Sequence, residues 1–183
     1  MSTPVSGTVD ALEPISLADL DAIAALQVRN DRKYVVDENT VDLMLCELAG
    51  GLQILQIDGL RAFNYRSVYF DTSNFDLHHA AAGGRRRRFK VRTRTYEDSA
   101  KVMLEVKTKD GRGRTVKERL DYDIDNSSHL TPEGRRFVQM ALASSDVPVT
   151  NELLNAAGLH PVLTTAYRRS TIVHETSGTR ATI

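Results

Sequence analysis

The segment RRRRFKVRTR, residues 85–94, holds six arginines and one lysine in ten positions, and from Arg88 onward its cations recur at every second residue. A fixed array of such groups suits phosphate, because arginine presents a planar fork to two oxygens and lysine a compact point charge. Phosphoryl transfer depends on positioning phosphates and on neutralising the charge that builds on the equatorial and leaving oxygens. The array continues beyond this segment. Residues 85–119 contain fourteen Lys or Arg against five Asp or Glu, a balance of +9, and since the whole chain nets +0 the remainder carries −9. A block of this kind points to an anionic partner, either a phosphate compound or a nucleic acid.

Successive side chains on a strand alternate between faces, so parity sorts the cations. Residues 86–96, 101–109 and 114–122 have strand character, and the links EDSA and DGRG are hairpin material. In the first segment Arg86, Arg88, Lys90, Arg92 and Arg94 share a face, with Phe89 and Val91 on the other. In the second, Glu105, Lys107 and Lys109 oppose Val102, Leu104 and Val106; in the third, Lys117 and Arg119 oppose Val116 and Leu120. The three strands are therefore expected to build one amphipathic sheet with a basic face. Neighbouring charges on such a face lie about 6.5–7 Å apart and repel by about 0.6 kcal/mol in water, or about 2.4 kcal/mol at an effective dielectric of 20. Facing solvent, the array costs little; enclosed in a barrel, it demands an anion. Arg85, Arg86, Arg87 and Arg88, dense on both faces beside Gly83-Gly84, read as solvated surface. Arg92, Arg94, Lys107, Lys117 and Arg119 recur at matched parity and read as a binding array.

The elements that must position this array form an α+β set. Residues 1–14 read as a flexible leader before a domain spanning 15–183. Ser16 with Asp19 caps a short helix over SLADLDAIAALQ, residues 30–36 read as a strand, and Asp37 caps a second helix that ends at Gly50-Gly51. Residues 52–57 and 65–72 have strand composition, Ser73 starts a brief helix, and Thr131-Pro132-Glu133 starts a helix to Ala143. A helix from about Asn151, one strand over 162–174 and another from Arg180 complete the expectation. Many antiparallel strands with peripheral helices suggest a sheet or barrel.

Composition narrows the function classes. With 41% apolar and 26% charged residues, the chain has the make-up of a globular protein. No apolar run nears the roughly 20 residues of a membrane span, nor is there a signal-like start, so the cytoplasm is the default expectation. Cys46 is the single cysteine, which excludes an internal disulfide and a cysteine zinc site, and its setting in LMLCEL predicts burial. His78, His79, His129, His160 and His174 lack ligand spacing. The sequence carries no Ser/His/Asp set and no Gly-rich phosphate loop.

Taken in order, DRKY (31–34), SVYFDT (67–72), FKVRTRTY (89–96), MLEVKTK (103–109), TVKERL (115–120) and PVLTTAYRRS (161–170) resemble the vacuolar transporter chaperone (VTC) domain. That family belongs to the triphosphate tunnel metalloenzymes, also called CYTH-like. The resemblance covers about residues 28–183. It implies an antiparallel β-barrel tunnel with peripheral helices that binds the triphosphate of ATP with Mn or Mg. The implied activity is transfer of the terminal phosphate of ATP onto polyphosphate, so ATP and polyphosphate are the implied partners. Carried over residue by residue, Lys33, Arg92, Arg94, Lys107, Lys117, Arg119 and Arg169 bind phosphate, and Lys107 and Arg169 stabilise the transferring group. Glu105, on the face of Lys107, reads as a metal ligand or as the partner in an internal salt bridge. Asp71 reads as a capping or turn residue, and Tyr34 and Tyr167 have no assigned role. The family pattern continues past Arg180-Ala181-Thr182-Ile183 into strands that supply a metal-binding glutamate and another lysine, so the barrel is expected to be incomplete at the C-terminus. Two alternatives stand beside the polymerase: hydrolysis of a triphosphate in the same tunnel, and a non-catalytic module that binds polyphosphate or nucleic acid. Nucleic acid is disfavoured because no recognition motif with stacking aromatics is visible. The sequence sets no oligomeric state.

Overall fold

A computed structural model describes residues 6–23, 32–48, 50–145, 147 and 158–183. In chain order the elements are α1 (Ser6–Asp10), β1 (Glu13–Ile15), α2 (Leu17–Ile23), α3 (Glu38–Glu47), β2 (Leu52–Leu55), β3 (Phe63–Asp71), α4 (Asp76–Ala82), β4 (Arg88–Tyr96), β5 (Lys101–Lys109), β6 (Thr115–Tyr122), α5 (Pro132–Ala143), β7 (His160–Arg169), β8 (Thr171–His174) and β9 (Arg180–Thr182). They divide into two units, residues 64–167 and residues 1–63 with 168–183.

In the unit of residues 64–167, the period-2 pattern of the basic segment produces an antiparallel meander. The strand order is β6-β5-β4-β3-β7, so β3 to β6 are neighbours in sequence order and β7 lies outside β3. Register aligns Lys90, Lys107 and Lys117 across three strands, and likewise Arg92, Glu105 and Arg119. The opposite face is apolar. Val68, Phe70, Phe89, Val91, Leu104 and Val106 pack there with Leu77 of α4 and Val138, Ala141 and Leu142 of α5. Full burial of each such side chain contributes about 1.5–3 kcal/mol, and this pins the parity: a slip of one residue would put the cations into the helices.

Both covering helices start at specific caps. Asp71 closes β3 and accepts from Leu77 N at 2.9 Å and His78 N at 2.9 Å, the first-turn donors of α4, which is the capping role expected for it. At α5, Pro132 occupies the first turn and Thr131 Oγ1 accepts from Gly134 N at 3.0 Å. Tyr122 of β6 ties that turn down, its hydroxyl accepting from Thr131 N at 2.7 Å.

The other unit holds a sheet of order β1-β2-β8-β9, parallel between β1 and β2 and antiparallel elsewhere. Leu12, Val41, Leu45, Leu52, Ile54 and Ile172 form its main core cluster, with Leu20 and Val173 in a second. Arg61 closes the end of α1 by donating from Nη1 to the carbonyls of Asp10 at 2.7 Å and Leu12 at 3.0 Å.

Several expectations change. Residues 6–14, expected within a flexible leader, hold α1 and the first two residues of β1, because β2 supplies β1 with a ladder at Glu13, Pro14 and Ile15. Residues 32–36, expected as a strand, take no regular structure, and Tyr34, Val35 and Val36 are exposed. The strand expected over 162–174 divides at Ser170, whose N–H and carbonyl both pair with Ile183, so that β8 joins the four-stranded sheet. Cys46 is exposed, since Val41 and Leu45 hold the core side of α3 and the next residue turns away. The helix expected from Asn151 lies outside the described residues. Among the described residues the strands make two separate sheets, an α+β arrangement in which no closed barrel is found.

Candidate anion-binding site

The centre of the basic face is a carboxylate. Glu105 is 2% exposed, and its position between Arg92 and Arg119 in the ladder surrounds it with cations. Arg92 brings both Nε and Nη2 to Glu105 Oε2 at 2.7 Å, a two-nitrogen grip that only a guanidinium can make. Lys117 Nζ stands 2.5 Å from Oε1, and Arg119 Nε 3.5 Å from the same oxygen. Of the two readings for Glu105, this geometry is that of the salt bridge.

A second layer comes from β3, where Tyr65, Ser67 and Tyr69 share the face of Arg94 and Arg92. Tyr69 Oη accepts from Arg92 Nη1 at 2.9 Å, and the Arg92 guanidinium lies 5.6 Å from the Tyr69 ring centroid. The Arg94 guanidinium lies 5.7 Å from the centroid of Tyr65, and Tyr65 stacks on Tyr167 at 5.4 Å. Aromatic faces attract cations without neutralising them. Arg92 is thereby fixed in direction and stays charged. Tyr65 and Tyr69 had no role assigned from the sequence; the signal for them was the parity of YRSVY against an adjacent basic strand.

Electrostatics follow from burial set against neighbours. Burial alone would raise the Glu105 carboxyl, yet the Lys117 hydrogen bond and the charges of Arg92 and Lys117 outweigh it and hold the group below its ordinary 4.5. Burial works against charge on Arg92, but Glu105 and Tyr69 more than restore it, so its pKa is raised. Lys117 goes the other way. Its burial lowers the pKa, Arg119 and Arg92 add to that, and the bond to Glu105 does not fully compensate. The face carries more positive charge than its one buried carboxylate can balance.

The residues singled out from sequence fall into two groups. Arg92, Lys117 and Arg119 meet at Glu105, while Arg94 and Lys107 project from the same face one ladder row to either side. Lys33 and Arg169 belong to the other unit. Lys33 is exposed in the irregular stretch before α3, and Arg169 is half-buried with Nη2 donating to Thr182 Oγ1 at 3.1 Å.

A protein-held Mn or Mg does not fit this donor set. Divalent ions of this kind are held by several oxygen ligands, commonly carboxylates. Glu105 already has Arg92, Lys117 and Arg119 around it, and these would repel a further cation. Among the described residues no group of three His, Cys, Asp or Glu could hold a metal ion. What the face can do is bind, orient and neutralise an anion.

A family model described as the VTC domain matches residues 28–183. The chain belongs to the VTC domain family. The blocks that carry the resemblance in the sequence lie within the matched residues, and so do Arg92, Arg94, Glu105, Lys107, Lys117 and Arg119 of the face. Among solved structures this VTC-domain chain is similar to a candidate adenylate cyclase of Vibrio parahaemolyticus, at 11% identity and a TM-score of 0.43 over 81% of this chain and 62% of that one. It is similar also to a candidate adenylyl cyclase from Hippeastrum that has a dominant triphosphatase activity, at 14% identity and 0.45 over 81% and 67%. A candidate adenylate cyclase from Bacillus halodurans matches at 17% identity and 0.41 over 82% and 75%. The chain thus spans less than two thirds of the Vibrio structure. A search of curated proteins finds no match. Among the described residues, no helix is long and apolar enough to cross a membrane.

Proposed function

We propose that this chain is a polyphosphate polymerase of the VTC type, in which the basic face forms part of a triphosphate tunnel. The reaction transfers the terminal phosphate of ATP to a polyphosphate chain. The observation that carries the reading is the row structure of the face: cations at matched parity on three consecutive strands, ordered around one buried carboxylate.

An oxygen of the acceptor chain's terminal phosphate bonds to the γ-phosphorus, the bond from that phosphorus to the β-bridging oxygen breaks, and ADP leaves with the electron pair. The attacking oxygen is already an oxyanion, so no general base is needed. The obstacle is repulsion between two polyanions, and fixed cations lower it most where charge is densest in the transition state. Arg92, Arg94, Lys117 and Arg119 bind and align phosphates, and Lys107 stabilises the transferring group. Lys33 and Arg169 take phosphate-binding roles, and Arg169 a share in transfer, by family resemblance alone.

Hydrolysis of a triphosphate is the neighbouring reading, and Glu105 favours transfer over it. Water must lose a proton on attack, and a carboxylate with a lowered pKa and oxygens occupied by Arg92, Lys117 and Arg119 is a poor acceptor. Incubating the protein with ATP and Mn or Mg and following phosphorus by NMR tests the proposal. Growth of internal polyphosphate signal with stoichiometric ADP is expected. Free phosphate as the sole product would replace the polymerase with a hydrolase, and inertness toward nucleotide with retained polyanion binding would leave a binding module.

A further inference from the structure

The cationic ladder does not stop at Lys90. The next row toward the β5–β6 turn sets Arg88 opposite Lys109, at the parity of Lys90 and Lys107. Past that row stand Arg85, Arg86 and Arg87 on one side and Arg112 and Arg114 in the turn on the other, all exposed. Arg85, Arg86, Arg87 and Gly111 line a shallow cleft of about 460 Å³. The Arg87 side chain lies across Gly111, close enough that a Cβ there would meet Arg87 Nε at 3.1 Å.

Asp110 is the only carboxylate within these two segments, residues 84–88 and 109–114, and it is engaged locally. Its Oδ2 takes Arg114 Nε at 2.7 Å and its Oδ1 takes the N–H groups of Arg112 and Arg114 at 2.9 and 2.8 Å. Arg88 has a structural bond as well, from Nη1 to the Arg85 carbonyl at 2.5 Å. The two segments together hold six arginines and one lysine against that one carboxylate.

We propose that the Arg85–Arg88 arm and the Asp110–Arg114 turn form a second anion site that holds the polyphosphate chain beyond the reacting phosphates. This rests on the polymerase reading and extends it. Ladder rows on one face recur every 6.5–7 Å or so, so the four rows from Arg94 to Arg88 run about 20 Å before the arm begins. A triphosphate fills about two such rows, and the rest of the track suits a longer anion. The two turns contain no aromatic residue, and the adjoining Phe89 is 5% exposed on the apolar face. Bases therefore find nothing to stack on, which favours phosphate without bases over single-stranded nucleic acid. The two sites also differ in stiffness. Arg92 and Lys117 are locked at Glu105, as orientation of a reacting group requires, whereas Arg85, Arg86 and Arg112 are exposed. A chain that must advance by one phosphate at each addition is better held by such loosely placed charges.

The test compares wild-type protein with the variant R85A/R86A/R112A in binding tripolyphosphate and long-chain polyphosphate, with melting temperature as the control for folding. Wild-type protein should bind the long chain about tenfold more tightly per phosphate than tripolyphosphate. The variant should lose that gain and show a shallower salt dependence, with tripolyphosphate affinity and melting temperature unchanged. A chain-length gain that survives in the variant overturns the second site, as does a loss that falls equally on tripolyphosphate. A base-containing RNA that displaces the long chain at equal concentration would assign the arm to nucleic acid instead. Wild-type protein that binds neither polyanion would remove the polymerase reading too; one that binds tripolyphosphate without any chain-length gain removes only the second site.

Discussion

An ionised carboxylate that is almost fully buried persists only where cations and hydrogen bonds offset its lost hydration, and Glu105 is such a group. Its removal strands Arg92 and Lys117 against each other, so Glu105→Gln should cost about 2–3 kcal/mol, below the usual figure for a buried pair because Arg119 and Lys117 retain water. For a chain of this size that is a fall in melting temperature on the order of 5–10 °C. The sign with pH is fixed. A folded pKa held below 4.5 contributes stability that is present above 4.5 and lost as pH falls through the folded value. The gap between wild type and Glu105→Gln should therefore be full at neutral pH and close on acidification; a gap that stays constant down to the acid transition would mean that charge is not what Glu105 contributes. Arg92→Lys probes the same group from the other side. Lysine keeps the charge but lacks the planar fork that reaches Glu105 and Tyr69 from separate nitrogens, so tripolyphosphate affinity should drop about tenfold with little loss of stability, as a calorimetric titration and a melting curve would record.

At the scale of elements, what was legible in the sequence was whatever local pattern dictates. The parity of residues 88–96, 101–109 and 115–122 was readable because most of their charged residues fall on one parity and most of their apolar residues on the other, and burial of Val91, Leu104 and Val106 enforces that alternation. The caps at Ser16, Asp37 and Thr131 were readable because each needs only its own first turn. What failed depended on partners far along the chain. β1 exists because β2 pairs with it, the division at Ser170 is made by Ile183, and residues 32–36 lack among the described residues the strand that their composition would suit. The cluster at Glu105 was half legible: parity placed it among cations, but only register shows Arg92 and Arg119 on either side. One contact between elements is tight enough to test. A Cβ at Gly134 would lie 2.6 Å from Tyr122 Oη and 3.1 Å from Leu104 Cδ2. Gly134→Ala should therefore push the first turn of α5 off β6 and destabilise by about 1–3 kcal/mol, despite alanine's better helix propensity. Denaturant unfolding of Gly134→Ala checks it, and a variant as stable as wild type would show that α5 can shift without cost.

For the whole molecule, the telling quantity is the contrast between a net charge of +0 and a local excess of +9 over residues 85–119. Global charge supplies no attraction for an anion, and at physiological salt the Debye length of about 8 Å confines each cation's reach to its neighbourhood. Any affinity for tripolyphosphate must then come from cations close enough to act together, as the rows through Lys90, Arg92 and Lys107 are. Such binding releases counterions, so its logarithm should fall linearly with the logarithm of salt, with a slope that counts the charges engaged. It should also persist in EDTA, since the described residues offer a divalent ion no ligand cluster. Titration of wild-type protein against tripolyphosphate in EDTA over a range of KCl should give a slope of several, and Arg92→Ala with Lys107→Ala should lower it by about two. Binding that vanishes with the metal, or a slope unmoved by the double variant, would place the anion somewhere other than this face.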